Sequence, residues 1–170
     1  MSPGASLDVL VTQLQIQMER LETLVVTSPL KQGGVELVAQ RIVSGLRSRD
    51  IATTLYLPAS SYRPDEQSQT PEVSISRGNA APPGPLTLAY TPAQVGTPQL
   101  ARSLLTSPGT ITVAAAPGVL EDPTALLLAA TADAVLLVVE SGRTTRADLK
   151  RARLELTAAG GHLVGAVLHE

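Results

Sequence analysis

Thr23-Leu24-Val25-Val26-Thr27-Ser28-Pro29-Leu30-Lys31-Gln32-Gly33-Gly34-Val35-Glu36-Leu37-Val38-Ala39 reads as a strand, a glycine-containing loop and the start of a helix. Leu24 to Val26 is a short apolar run of buried-strand type, Ser28 to Gly34 carries turn residues, and Val35 and Val38 open a helical period. This is the layout of a phosphate-cradling loop, in which backbone N–H groups at a helix N-terminus wrap the phosphates. Such a loop places a lysine on the β/γ-phosphates and then a Ser or Thr hydroxyl on Mg²⁺. Those two positions hold Val35 and Glu36 here. The scaffold is present without the groups that make it bind.

Working outward, Leu7, Leu10, Val11, Leu14, Met18 and Leu21 recur at spacings of three and four and predict an amphipathic first helix. A second helix is expected from about Gly34 to Arg47, with Val35, Val38, Ile42 and Leu46 inward. A strand follows at 51–57, ended by Pro58. Residues 59–85 are rich in Ser, Pro and Gly, longer than loops inside compact domains usually are, and are expected to be flexible. Strands are predicted at 86–90, 111–115, 134–139 and 162–168. Helices are predicted at 97–105, 122–130 and 144–158, the last capped by Thr144 or Thr145 and ended by Gly160-Gly161. Alternating strands and helices imply right-handed crossovers and a doubly wound, mostly parallel α/β sheet with helices on both faces. The whole of 1–170 reads as a single domain.

Composition narrows the function. The chain has 170 residues, 44% of them hydrophobic, with no Phe or Trp and three Tyr, so its core must be aliphatic, as suits strands covered on both faces. Thirteen basic against fifteen acidic residues give a net charge of −2, and scattered tyrosines make no stacking platform, which argues against nucleic acid. There is no cysteine, hence no disulfide and no thiolate metal site. No apolar run approaches the roughly 20 residues of a membrane span, so direct membrane insertion is not expected and a cytoplasmic location is.

The stretch Ala132-Asp133-Ala134-Val135-Leu136-Leu137-Val138-Val139, then Gly142-Arg143-Thr144-Thr145-Arg146, the helix to Ala159-Gly160-Gly161 and the closing Leu163-Val164-Gly165-Ala166-Val167-Leu168 together resemble a known family. It is the cytoplasmic ATPase domain of bacterial tyrosine kinases that control capsular and exopolysaccharide chain length, within the MinD/ParA-type P-loop group. Leu24 to Ser28 resembles that family's first strand, and Pro117-Gly118-Val119-Leu120 with Asp122 its typical turn. The resemblance implies a P-loop NTPase-like, Rossmann-like three-layer fold. For activity it implies the reverse of a kinase. Ungapped register puts Gln32 at a flexible glycine, Gly33 and Gly34 in the loop, Val35 at the lysine and Glu36 at the magnesium hydroxyl, with only Gly34 matching. The Asp-x-Asp loop falls on Pro58-Ala59-Ser60, and the Walker B aspartate on Ala115. Asp8 and Val11 fall near the arginines of the family's first helix, and no tyrosine cluster follows Leu168. His169 stands where the family contacts adenine with Asn.

Glu36 would sit where a phosphate belongs. Two like unit charges at about 4 Å cost on the order of 4 kcal/mol at an effective dielectric near 20. Lys31, one residue from a second signature lysine position at Leu30, is read as a solvated loop lysine, and Gly33-Gly34 as a turn into the helix rather than an anion nest. Glu121 and Asp122 are read as helix-start residues rather than a metal site, and His162 as a strand-edge residue. Ser60, Ser61 and Ser141 have no His/Asp partner pattern. Arg143, Arg146, Lys150, Arg151 and Arg153, interleaved with Asp148 and Glu155, read first as a solvated face and second as a protein-docking one.

The expectation is a catalytically inactive tyrosine-kinase-like domain with no catalytic residue, no cofactor and no metal. It would act as a protein-interaction or regulatory module in exopolysaccharide or capsule assembly, at the inner face of the membrane through a partner. Its partner would be the polysaccharide-assembly machinery or a second copy of the chain. Two other readings are a residual nucleotide-binding regulator or weak kinase, and a MinD/ParA-like positioning or cytoskeletal partner.

Overall fold

The computed structural model describes residues 21–30, 34–60 and 86–169. The predicted first helix, apart from Leu21, and most of the predicted flexible loop lie outside the described residues, as do Lys31, Gln32 and Gly33. Six strands form one sheet: β1 (Thr23–Thr27), β2 (Thr53–Pro58), β3 (Leu86–Tyr90), β4 (Ile111–Ala115), β5 (Ala134–Glu140) and β6 (Leu163–His169). They lie in the order β3-β2-β4-β1-β5-β6, and every pairing is parallel. Among the described residues the helices are α1 (Gly34–Arg47), α2 (Pro98–Leu105), α3 (Pro123–Thr131) and α4 (Arg146–Ala158), with a short 3-10 turn at Pro92–Val95 before α2.

The continuous apolar strands make sense once both faces are filled. Leu24 and Val26 of β1, Val113 and Ala115 of β4, and Leu136 and Val138 of β5 point to one core, packed by Val35, Val38, Ala39, Ile42, Val43 and Leu46 of α1. Val25, Ala114, Val135 and Leu137 point to the other, packed by α2, α3 and α4. Period-two alternation inside an all-apolar run thus serves two cores at once. The partition follows from handedness: the β1-to-β2 crossover runs toward the β3 edge, while β4-to-β5 and β5-to-β6 run the opposite way, so right-handed connections fall on opposite faces.

Local signals fix the ends. Asp122 caps α3 by accepting from Thr124 N at 2.8 Å, and Pro123 occupies the first turn, where a missing N–H costs nothing. Of the two predicted caps of α4, Thr145 is the one used: its Oγ1 accepts from Asp148 N at 3.1 Å, while Asp148 accepts from Thr145 N at 3.2 Å. Thr144 instead accepts from Glu140 N through Oγ1 at 3.1 Å. At the other end Gly160, at φ 86°, and Gly161 donate to Thr157 O and Leu156 O, closing the helix with a left-handed residue. The register of β1 on β5 is pinned by Asp133, whose carboxylate accepts from Thr23 N and Thr23 Oγ1, both at 2.8 Å. Among the described residues no helix is long and apolar enough to cross a membrane.

Candidate functional site

In an open parallel sheet, ligands sit beyond the carboxyl ends of the strands where neighbouring connections leave in opposite directions. That point lies between β1, whose chain departs to α1, and β4, whose chain departs to α3 on the other face. The positions singled out in the sequence meet there. Gly34, Val35 and Glu36 begin α1, Ala115 ends β4 opposite Val26, Pro58 ends β2, the next strand along, and Ser60 lies in the turn after it. Gln32 and Gly33 belong to the residues not described.

The two departing segments are laced together. Ala116 N donates to Val26 O at 2.8 Å, Val119 N to Ser28 O at 2.8 Å, and Leu120 N to Pro29 O at 3.0 Å. Thr27 Oγ1 donates to Pro117 O at 2.6 Å, and the buried Ser28 hydroxyl to Leu30 O at 2.5 Å. The exit from β1 is therefore held by backbone hydrogen bonds as far as Pro29 and by the Ser28 hydroxyl at Leu30.

Side chains of this chain occupy the edge. Val35 is 3% exposed and belongs to the core under α1. The buried Tyr90, at the end of β3, donates its hydroxyl to Ala115 O at 2.8 Å, so a phenol is hydrogen-bonded at the residue expected from the sequence to replace the Walker B aspartate. Burial, and then the negative charges of Asp122 and Glu36, push its pKa well above the ordinary tyrosine value. A phenol so held is a hydrogen-bond donor and no base. From the other side of the sheet, the His169 ring lies against the start of α1. A Cβ built on Gly34 would come 2.9 Å from His169 Cγ and 3.0 Å from Nε2. Beside it, Glu140 is the cross-strand partner of His169, its Oε1 is 3.4 Å from Arg143 Nη1, and its buried Oε2 has no hydrogen-bond partner among the described residues.

The fold around this edge has solved counterparts. The chain superposes on the kinase domain of Escherichia coli tyrosine kinase ETK with a TM-score of 0.67 and 17% identity, over 96% of this chain and 73% of that one. It superposes on the BceF tyrosine kinase domain with a TM-score of 0.65 and 20% identity, over 96% and 76%. The chimerical protein CapA2B2 gives 0.66 and 14%, over 95% and 82%. The fold is that of the bacterial tyrosine kinase domains. No protein-family model matches the sequence, and no curated protein matches it.

Two side chains at this edge, His169 and Tyr90, were not expected there from the sequence. His169, read only as a replaced adenine contact, packs on α1, and the β5–β6 pairing sets it beside Glu140, far from it in sequence. Tyr90 carried a usable signal, because a single tyrosine ending an apolar strand must find a partner for its hydroxyl. His162 precedes β6, as expected of a strand-edge residue, with Nδ1 3.2 Å from Asp133 O. Asp122 is a helix cap, and no group of three or more His, Cys, Asp or Glu that could hold a metal occurs among the described residues.

Proposed function

We infer that this chain is a catalytically inactive tyrosine-kinase-like domain, working by protein contact as an interaction or regulatory module in bacterial exopolysaccharide or capsule biosynthesis. One observation carries the reading. The ends of β1, β4 and β2 are adjacent, and in the register of the family resemblance the positions where phosphoryl transfer needs a lysine, a magnesium hydroxyl and carboxylates fall on Val35, Glu36, Ala115, Pro58 and Ser60. Positioning and charge neutralisation are nearly all of phosphoryl-transfer catalysis, so losing these groups together removes the reaction rather than slowing it. The His169 ring on Gly34 and the Tyr90 hydroxyl on Ala115 support the reading, because both lie where a nucleotide and its metal would need room. Glu36 supports it too, by placing a resident negative charge in the first turn of α1, the end that otherwise attracts phosphate. The polysaccharide context rests on the family resemblance of the sequence.

Calorimetric titration of the intact chain with Mg-ATP and Mg-ADP tests the reading. No heat of binding is expected up to millimolar nucleotide; micromolar binding would favour a nucleotide-binding regulator and overturn it.

A further inference from the structure

The sheet ends at β6, and among the described residues nothing pairs with its outer edge. Leu163-Val164-Gly165-Ala166-Val167-Leu168 carries no charge, no proline and no lysine, the usual devices that blunt an edge strand. In a parallel ladder the N–H and C=O of one residue point the same way and alternate along the strand. His169 O accepts from Ser141 N of the β5 side, so the outward phase falls on Ala166 and Leu168. Both are exposed, Leu168 to 64%.

Beneath that edge, on the α4 side, runs an open groove of about 520 Å³. Its wall is Leu149, Arg153 and Thr157, a stripe spaced by four along α4, and its floor includes Leu163, Gly165 and Ala166. Arg153 forms no ion pair among the described residues. The helix carries Arg146, Lys150, Arg151 and Arg153 against Asp148 and Glu155, and Asp148 is engaged in the cap.

We propose that the outer edge of β6 and the groove beside it form a docking site for an extended, acidic segment of a partner protein, which adds to the sheet as a further strand. Backbone groups at Ala166 and Leu168, unpaired among the described residues, suit an extended chain, the apolar floor takes alternate side chains of that chain, and Arg153 selects a carboxylate among them. A second copy of this chain fits less well. Antiparallel pairing of β6 with its own copy would bring one basic α4 wall, Arg153 included, against the other. The site is separate from the strand ends of β1 and β4 and does not depend on whether they hold nucleotide.

Fluorescence-anisotropy titration of the whole chain tests this, with labelled ten-residue peptides as probes. One strand face of each peptide carries valines and two central glutamates, and the other face carries threonines; a control peptide has lysines for the glutamates. The glutamate peptide is expected to bind saturably and at least tenfold more tightly than the lysine peptide. Arg153→Glu should reverse that order. Ala166→Pro should abolish binding while leaving the β5 ladder intact, since its N–H faces outward. Should that variant not fold, N-methylation of alternate peptide amides reads the same hydrogen bonds and should abolish binding of the wild-type chain. Equal affinity for both peptides, no binding of either, or binding indifferent to backbone methylation overturns the proposal. So does a dimer in sedimentation that Ala166→Pro dissociates, which would make the occupant a second copy.

Discussion

At the candidate site the phenol of Tyr90 is buried against the end of β4. Its hydroxyl satisfies the Ala115 carbonyl in a setting closed to water. Tyr90→Phe leaves that carbonyl without this donor, and a loss of about 1–2 kcal/mol at neutral pH is expected in denaturant unfolding. The pH dependence has a definite sign. The phenol's pKa is raised in the folded chain above its unfolded value of 10.0, so the folded state holds the proton longer. Its contribution is fully present below pH 10 and is lost as pH rises beyond that, at about 1.4 kcal/mol per pH unit. Tyr56 is also raised, by burial opposed by a hydrogen bond with Ser107, and it titrates in both proteins. The gap in stability between wild type and Tyr90→Phe should therefore narrow between pH 10 and 11; a constant gap would show that the phenol is not so held.

Among the elements, the contact of decisive interest joins the end of β6 to the start of α1. Gly34 is the only part of the loop that matches a phosphate-binding pattern, and a Cβ there would meet the His169 ring. Gly34→Ala should consequently destabilise the wild type. In a His169→Ala background the clash is gone, and the same change should become neutral or stabilising by up to about 1 kcal/mol, because alanine is the better helix residue. A double-mutant cycle measures this coupling, and additivity of the two substitutions would mean the ring does not rest there. The elements themselves were largely legible. α1, β3 and β4 have the bounds expected of them, because helical period and apolar runs are local properties, while β6 and α4 are displaced by one or two residues where caps and strand pairing decide. The contact between Gly34 and His169 was not legible, because it joins residues at opposite ends of the chain that only the sheet order brings together.

For the molecule as a whole, the question is whether chemistry returns when the most visible defect is repaired. The double substitution Val35→Lys, Glu36→Ser supplies the missing loop side chains. It leaves Ala115, Pro58 and Ser60 without carboxylates, and it sets an ammonium at a position now buried under α1. No ATP turnover above background is expected, with a stability loss on the order of 2 kcal/mol or more from burying the charge. Measurable hydrolysis by this variant would refute the inactive reading.

The sequence alone determined the α/β class, the parallel alternation and the position of the loop after β1, and the family resemblance in it set the expectation of which residues stand where a kinase keeps its reactive groups. These are matters of periodicity, turn chemistry and residue type, each decided within a few neighbours. The tertiary structure decided which strand ends lie side by side, and therefore that Val35, Glu36, Ala115 and Pro58 share one edge. It also placed Tyr90 and His169 there and left the β6 edge uncovered among the described residues. Strand order is set by how two hydrophobic faces are jointly buried across the whole sheet, and no short stretch of sequence carries that balance.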